Sequence, residues 1–190
     1  EKGSMRIVGS FFQGTRQLTS KEKVLGLKDM QGKKYRGVPV KLWSSMLTGM
    51  GAVATPVEVS ELATALATGL VIGQENPLPT INNNKFFEVQ RYLNLTQHII
   101  VPQLVMVNAK YWSGLSAADK SAVIDAFAEG GKINDGLTRE AEGRLLDEFR
   151  TKGMEIVRPD LNSFRQAMTA VYPKYENDWG KGTFEMMQKL

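Results

Sequence analysis

The stretch from Ser116 to Arg150 constrains the fold more than any other part of the chain. Ser116 with Asp119 reads as an N-terminal cap, and Val123, Ile124, Phe127, Ile133, Leu137, Ala141, Leu145 and Phe149 follow as its apolar positions. At roughly 1.5 Å per residue, a helix over this stretch runs about 50 Å. It also carries Gly130, Gly131, Gly136 and Gly143. Interior glycines cost about 1 kcal/mol each relative to alanine. Such a helix does not stand alone. It has to pack along its length or kink near Gly130 and Gly131.

The rest of the chain alternates between strand-like and helix-like patterns. Residues 6–12 are rich in strand formers; Gly14 breaks the run, and residues 16–19 resume extended. Residues 20–34 read as loop or a single helical turn, and 35–39 as a short extended piece ending at Pro39. Leu42, Trp43, Met46, Leu47 and Met50 mark a helix face, and residues 52–55 a short strand. Val59, Leu62, Ala63 and Leu66 mark a second helix that stops at Gly69. Leu70, Val71 and Ile72 lead into a turn, Gly73-Gln-Glu-Asn-Pro77, and Phe86, Phe87, Val89 and Tyr92 suggest a helix. Residues 98–108 read as a central strand and 154–157 as another. Asp160 caps a helix bearing Phe164, Met168, Val171, Tyr172 and Tyr175, bent at Pro173, and residues 182–190 form a helical tail. The alternation makes the class α/β.

Composition removes several functions. The chain has 190 residues, 42% of them hydrophobic, which suits one domain with a packed core. It has no cysteine, so a disulfide framework, a thiolate nucleophile and cysteine-ligated metals are excluded. The single histidine, His98, leaves no His-pair metal site. Neither a metal nor a cofactor is expected. The net charge of +4 is spread along the chain rather than bunched, which argues against nucleic acid and fits anionic small molecules. No run reaches the roughly 20 apolar residues of a membrane span, and no leader is read at the N-terminus. Residues 1–4 admit two readings, a cloning scar ahead of Met5 or native sequence.

No phosphate loop, nucleophile elbow or paired acid–base constellation is present in the sequence. Glu58 and Glu61 read as first-turn acids favoured by the helix dipole. His98, at the start of an apolar strand, reads as a hydrogen-bonded structural residue or a pocket-lining donor. Three residues stand out by their setting. Arg16 follows a glycine break on an extended segment, Arg36 sits on a short strand leading into a helix, and Asn76 sits between a strand and a helix. Ligands in α/β folds gather beyond strand ends. Arginine presents a planar fork that matches a carboxylate. By default, though, each arginine is also a surface ion-pair partner and Asn76 a turn residue.

Gly32-Lys-Lys-Tyr-Arg36, Pro39, Lys41-Leu-Trp43, Met50-Gly-Ala52 and Thr55-Pro-Val57 form one series of blocks. Glu61-Leu-Ala-Thr-Ala-Leu66, Thr68-Gly69, Gly73-Gln-Glu-Asn-Pro77 and Lys85-Phe-Phe-Glu-Val-Gln90 continue it. Gly14-Thr-Arg16-Gln-Leu-Thr-Ser20 precedes these, and Gly153-Met154 and Arg158-Pro-Asp160 follow. In this order and spacing they resemble the DctP-type solute-binding receptors of tripartite ATP-independent periplasmic (TRAP) transporters. Ile72, Gly37-Val38 and Val59 depart from the usual pattern.

The resemblance implies a periplasmic-binding-protein-like lobe, a mixed sheet flanked by helices with one long helix. It assigns residues 1–190 to the C-terminal portion of a two-lobe receptor, lacking most of the N-terminal lobe. It implies that Arg36 pairs with a ligand carboxylate, assisted by Arg16 and Asn76. The expected partners are a small organic acid and the membrane permease subunits of the transporter, and the expected compartment is the periplasm. Apolar surface left uncovered would allow a homo-oligomer. Two other readings stay open: an enzyme acting on a carboxylate substrate with Glu75 as base, and an oligomerising fragment that binds little.

Overall fold

A computed structural model describes residues 4–189. The reading of residues 1–4 falls, apart from Ser4, outside them, as does the last residue of the tail. In chain order the elements are β1 (Met5–Ser20), a 3-10 turn (Leu27–Met30), β2 (Lys34–Gly37), α1 (Lys41–Gly49), β3 (Val53–Pro56) and α2 (Val59–Thr68). Then come β4 (Gly73–Pro77), α3 (Leu78–Asn83), a 3-10 turn (Phe86–Glu88), β5 (Tyr92–Asn108), α4 (Ala109–Gly114) and α5 (Ala117–Thr151). The chain finishes with β6 (Glu155–Val157), α6 (Leu161–Thr169), a 3-10 turn (Tyr172–Tyr175), α7 (Glu176–Trp179) and α8 (Thr183–Met187).

The strands form one mixed sheet in the order β3-β2-β4-β1-β5-β6. β2 runs parallel to β3 and β4, β6 runs parallel to β5, and β1 is antiparallel to both its neighbours. Two apolar clusters hold the layers together. One joins Leu62, Leu66, Ile81, Leu93, Leu145 and Phe149 under α2, α3 and α5. The other joins Leu18, Tyr35, Leu47, Met50, Phe164 and Met168 under α1 and α6. The α/β class and the mixed sheet flanked by helices agree with the sequence reading.

Five local expectations are corrected. Gly14 does not end a strand: β1 runs through it, with the register to β5 shifting between Phe12 and Thr15. Gly14 adopts φ 118°, a conformation open to glycine, and so serves as a bulge. The segment Gly73–Pro77 is not a turn but the buried central strand β4. Residues 86–92 form only a short 3-10 turn before β5 begins, and a helix, α3, lies just ahead. β5 starts six residues before His98, at Tyr92, and its second half is largely exposed rather than central. Pro173 does not bend α6; the helix ends at Thr169, and the proline opens the 3-10 turn that follows.

The long helix α5 is continuous, with no break at its glycine pair. It lies along β1 instead. A Cβ on Gly9 would come within 3.1 Å of Phe127, so this glycine sets the closeness of strand and helix. Asp135 accepts from the Phe12 amide at 2.7 Å and Glu142 from the Thr15 amide at 2.6 Å, so the helix clasps both sides of the Gly14 bulge. Ile124, Ile133 and Leu137 are exposed, so only the C-terminal part of the expected apolar face is core. Gly130, Gly136 and Gly143 meet nothing that would exclude a side chain.

Candidate functional site

The three residues singled out in the sequence lie on three adjacent strands. Arg16 is on β1, Asn76 on β4 and Arg36 on β2. β4 is buried along its whole length because it sits between β2 and β1. Its start is fixed by Gly73, where a Cβ would collide with the Thr19 carbonyl and the Tyr35 ring. Only glycine lets Tyr35 lie flat there.

Arg16 is 7% exposed and spends its guanidinium on the neighbouring strand. Its Nε and Nη2 donate to the two carboxylate oxygens of Glu75, a fork-on-fork pair, and Nη2 also donates to the Glu75 carbonyl at 2.7 Å. The same nitrogen donates to Asn76 Oδ1 at 3.0 Å. Asn76 Nδ2 in turn donates to Gln74 Oε1 at 2.5 Å, and Gln74 Nε2 donates to the Thr19 hydroxyl at 2.9 Å. Buried polar groups need such partners, and this chain of bonds is why a polar pentapeptide can form a central strand.

Glu75 is wholly buried and has a third partner, His98, whose Nε2 lies 3.1 Å from Oε2. The Nδ1 of His98 lies 2.7 Å from the Thr96 hydroxyl. Burial pushes the Glu75 carboxyl up, but hydrogen bonds from His98 and Arg16 outweigh it and hold the group below its ordinary value. An ionised carboxylate only accepts, so Nε2 carries the hydrogen in that contact. His98 is thus both a hydrogen-bonded structural residue and, with Trp43, part of a cavity wall.

Arg36 differs from Arg16. It is 4% exposed, and its Nε donates to the Val57 carbonyl at 2.8 Å. Among the described residues no carboxylate lies within ion-pair distance of it. Its terminal nitrogens are not among the atoms sealed away without a partner, so they keep contact with solvent. Burial lowers its pKa, Glu75 raises it, and Arg16 lowers it again, leaving it below its ordinary value but still a cation at neutral pH. The two arginines and one glutamate therefore leave one positive charge uncompensated in a largely buried setting. Arg16 is already neutralised by Glu75 and acts as a donor held in place.

The pairing of Glu75 with Arg16, and the part of Gln74 and Thr19 in the cluster, are not apparent from sequence pattern alone. One signal is present: two arginines on buried strands need a counter-ion, and Glu75 is the acid beside Asn76.

A family profile for bacterial extracellular solute-binding proteins, family 7 (DctP), matches residues 1–178, a span that holds all three residues. The chain belongs to the DctP family. Similar proteins include the sialic acid-binding periplasmic protein SiaP of Vibrio cholerae, 34% identical over 95% of this chain and 56% of its own length. Among solved structures, a TRAP periplasmic solute-binding protein from Roseobacter denitrificans with bound L-galactonate is 34% identical. It superposes with a TM-score of 0.79, covering 86% of this chain and 55% of its own. One from a Sulfitobacter species with bound β-D-galacturonate is 29% identical, with a TM-score of 0.86 over 97% of this chain and 61% of its own. The chain spans about half the length of the curated relatives it matches. Members of the family are solute-binding proteins, and the related structures named here hold sugar acids. Among the described residues no helix is long and apolar enough to cross a membrane.

Proposed function

We infer that this chain is the carboxylate-anchoring part of a periplasmic TRAP receptor for an organic acid of the sugar-acid class, which it would hand to membrane permease subunits. The observation that carries this reading is the unpaired cation of Arg36 beside the neutralised Arg16–Glu75 pair. A buried guanidinium without a counter-ion is costly, and a ligand carboxylate supplies the missing charge. Arg36 forms the ion pair, Asn76 contributes its amide, and Arg16 holds Asn76 in place while remaining within the same cluster. We assign residues 1–190 to one α/β lobe with hinge and long-helix elements of a two-lobe receptor. The exposed Met5, Ile7, Ile100, Leu104 and Met106 on β1 and β5 support a covering by further protein, either a second lobe or a second copy.

The enzyme reading asks Glu75 to act as a base. Its carboxyl is buried and held below its ordinary value, which makes it a weak proton acceptor. The family relationship also favours binding without turnover.

The test is a titration of galactonate, galacturonate and a dicarboxylate, followed by ligand-observed NMR, with wild type and Arg36→Ala. A hydrogen bond to a charged group contributes about 1.5–3 kcal/mol, so the variant should bind roughly 10- to 150-fold more weakly. Equal affinity in both proteins would refute the role of Arg36.

A further inference from the structure

A cavity of about 290 Å³ lies between α1, residues 96–99 of β5 and α6. Its apolar walls include Leu42, Trp43, Met46, Ile99, Phe164 and Met168. An enclosed apolar cavity of about 150 Å³ is large enough to bind benzene, so this one has room for a ring with a short side arm. Two of its inner polar groups, those of Thr96 and His98, are already engaged, and the Trp43 Nε1 is sealed from solvent without a partner. The Thr96 hydroxyl bonds to His98, and the other nitrogen of His98 bonds to Glu75. A polyhydroxylated ligand would therefore bury hydroxyls without partners, which is unfavourable. At the edge stand Gln97 and Arg165, both exposed. Among the described residues Arg165 has no ion-pair partner.

We propose that this cavity is a second ligand site, taking a small apolar acid, an aryl- or branched-alkyl carboxylate, with its body among Trp43, Met46 and Met168 and its carboxylate on Arg165. The size and spent polar groups select an apolar body, and the single cation at the mouth selects one negative charge. The site differs from the Arg36 cluster in its chemistry and borders it at two residues, His98, which bonds to Glu75, and Trp43, whose ring centre lies 6.0 Å from the Arg16 guanidinium carbon. Its occupant would abut the residue that bonds to Glu75.

The probe is 3-phenylpropionate, compared with its neutral amide, titrated into the full chain. Two of the three tryptophans, Trp43 and Trp179, line the cavity, so intrinsic emission reports filling. Saturable binding is expected, with the acid about fivefold tighter than the amide, the weight of one exposed ion pair. Arg165→Gln should equalise acid and amide, and Arg36→Ala should leave both unchanged. The proposal is overturned by any of three results. These are no saturation in the millimolar range, equal binding of acid and amide to wild type, or acid binding lost in Arg36→Ala and kept in Arg165→Gln. Galacturonate titrated in parallel reports on the arginine cluster, so failure at one site is read separately from failure at the other.

Discussion

Replacing Glu75 with leucine would strip Arg16 of its counter-ion in a place where water cannot take over. Arg16 is 7% exposed and Glu75 is wholly buried, and the pair is joined by two side-chain bonds. Breaking one side of a buried ion pair costs about 3–5 kcal/mol, whereas replacing both sides with apolar residues is often neutral. For a chain of this size, about 1 kcal/mol moves the melting temperature by roughly 2–4 °C, so Glu75→Leu should lower it by about 6–20 °C. Arg16→Met should also destabilise, because it leaves a buried carboxylate with His98 as its remaining side-chain partner. The Glu75→Leu/Arg16→Met double variant should lose far less than the two single losses combined. Urea denaturation at neutral pH, run on all four proteins as a double-mutant cycle, gives the coupling directly. Additive losses would refute the reasoning, because they would mean that Arg16 and Glu75 are stabilised independently of each other.

Gly73→Ala should be strongly destabilising, since the added methyl meets the Thr19 carbonyl and the Tyr35 ring; a thermal melt with a loss below about 1 kcal/mol would contradict the tight packing of β4. Gly136→Ala and Gly143→Ala, where the helix has open space, should each stabilise by about 0.5–1 kcal/mol, readable as a shift in the urea midpoint. The Glu75 carboxyl has a folded pKa below its ordinary 4.5, so its contribution is present above that value and lost as pH falls through the lower folded one. Asp135, whose pKa is lowered by the Phe12 amide and then by Asn134, behaves the same way below 3.8. Stability measured by chemical denaturation should therefore hold from neutral pH down to about 5 and fall beyond it, and Glu75→Leu should flatten part of that fall.

The helices were the legible part of this chain. α1, α2, α5 and α6 carry apolar residues at helical spacing, and two of their caps are visible in the sequence: Ser116 accepts from the Asp119 amide at 3.1 Å, and Asp160 from the Asn162 amide at 3.0 Å. β4 was not legible, because strand signals rest on β-branched and aromatic residues and this strand has none. Gly73-Gln-Glu-Asn-Pro77 carries turn residues, and it is a strand because Arg16 and Thr19 of β1, His98 of β5 and its own Gln74–Asn76 pair supply partners for its polar side chains. β1 was split in two for a related reason. A glycine that ends a segment and a glycine that forms a bulge look alike until the partner strand is known. Arg16, Arg36 and Asn76 stand out in the sequence as candidates, and the structure gathers them on adjacent strands. The division of labour between the arginines could not be read from the sequence. It depends on Glu75 facing Arg16 and not Arg36, which is a matter of register between β1 and β4.

The pairing of β1 with β5 also bears on how the chain reaches this fold. Asn94 donates to the Leu18 carbonyl across a separation of 76 residues, and Met5 faces Asn108 at the far end of the same ladder. During synthesis, at about 5–20 residues per second, β1 leaves the ribosome several seconds before its main partner exists. Until β4 emerges this 16-residue strand has no partner on either edge, and the edge that meets β5 stays unpaired for the whole interval. Such a strand is a template for pairing with another chain. The demand for a holding chaperone during biogenesis is thus set by the order of the strands along the chain, and shortening the segment between β1 and β5 should reduce it.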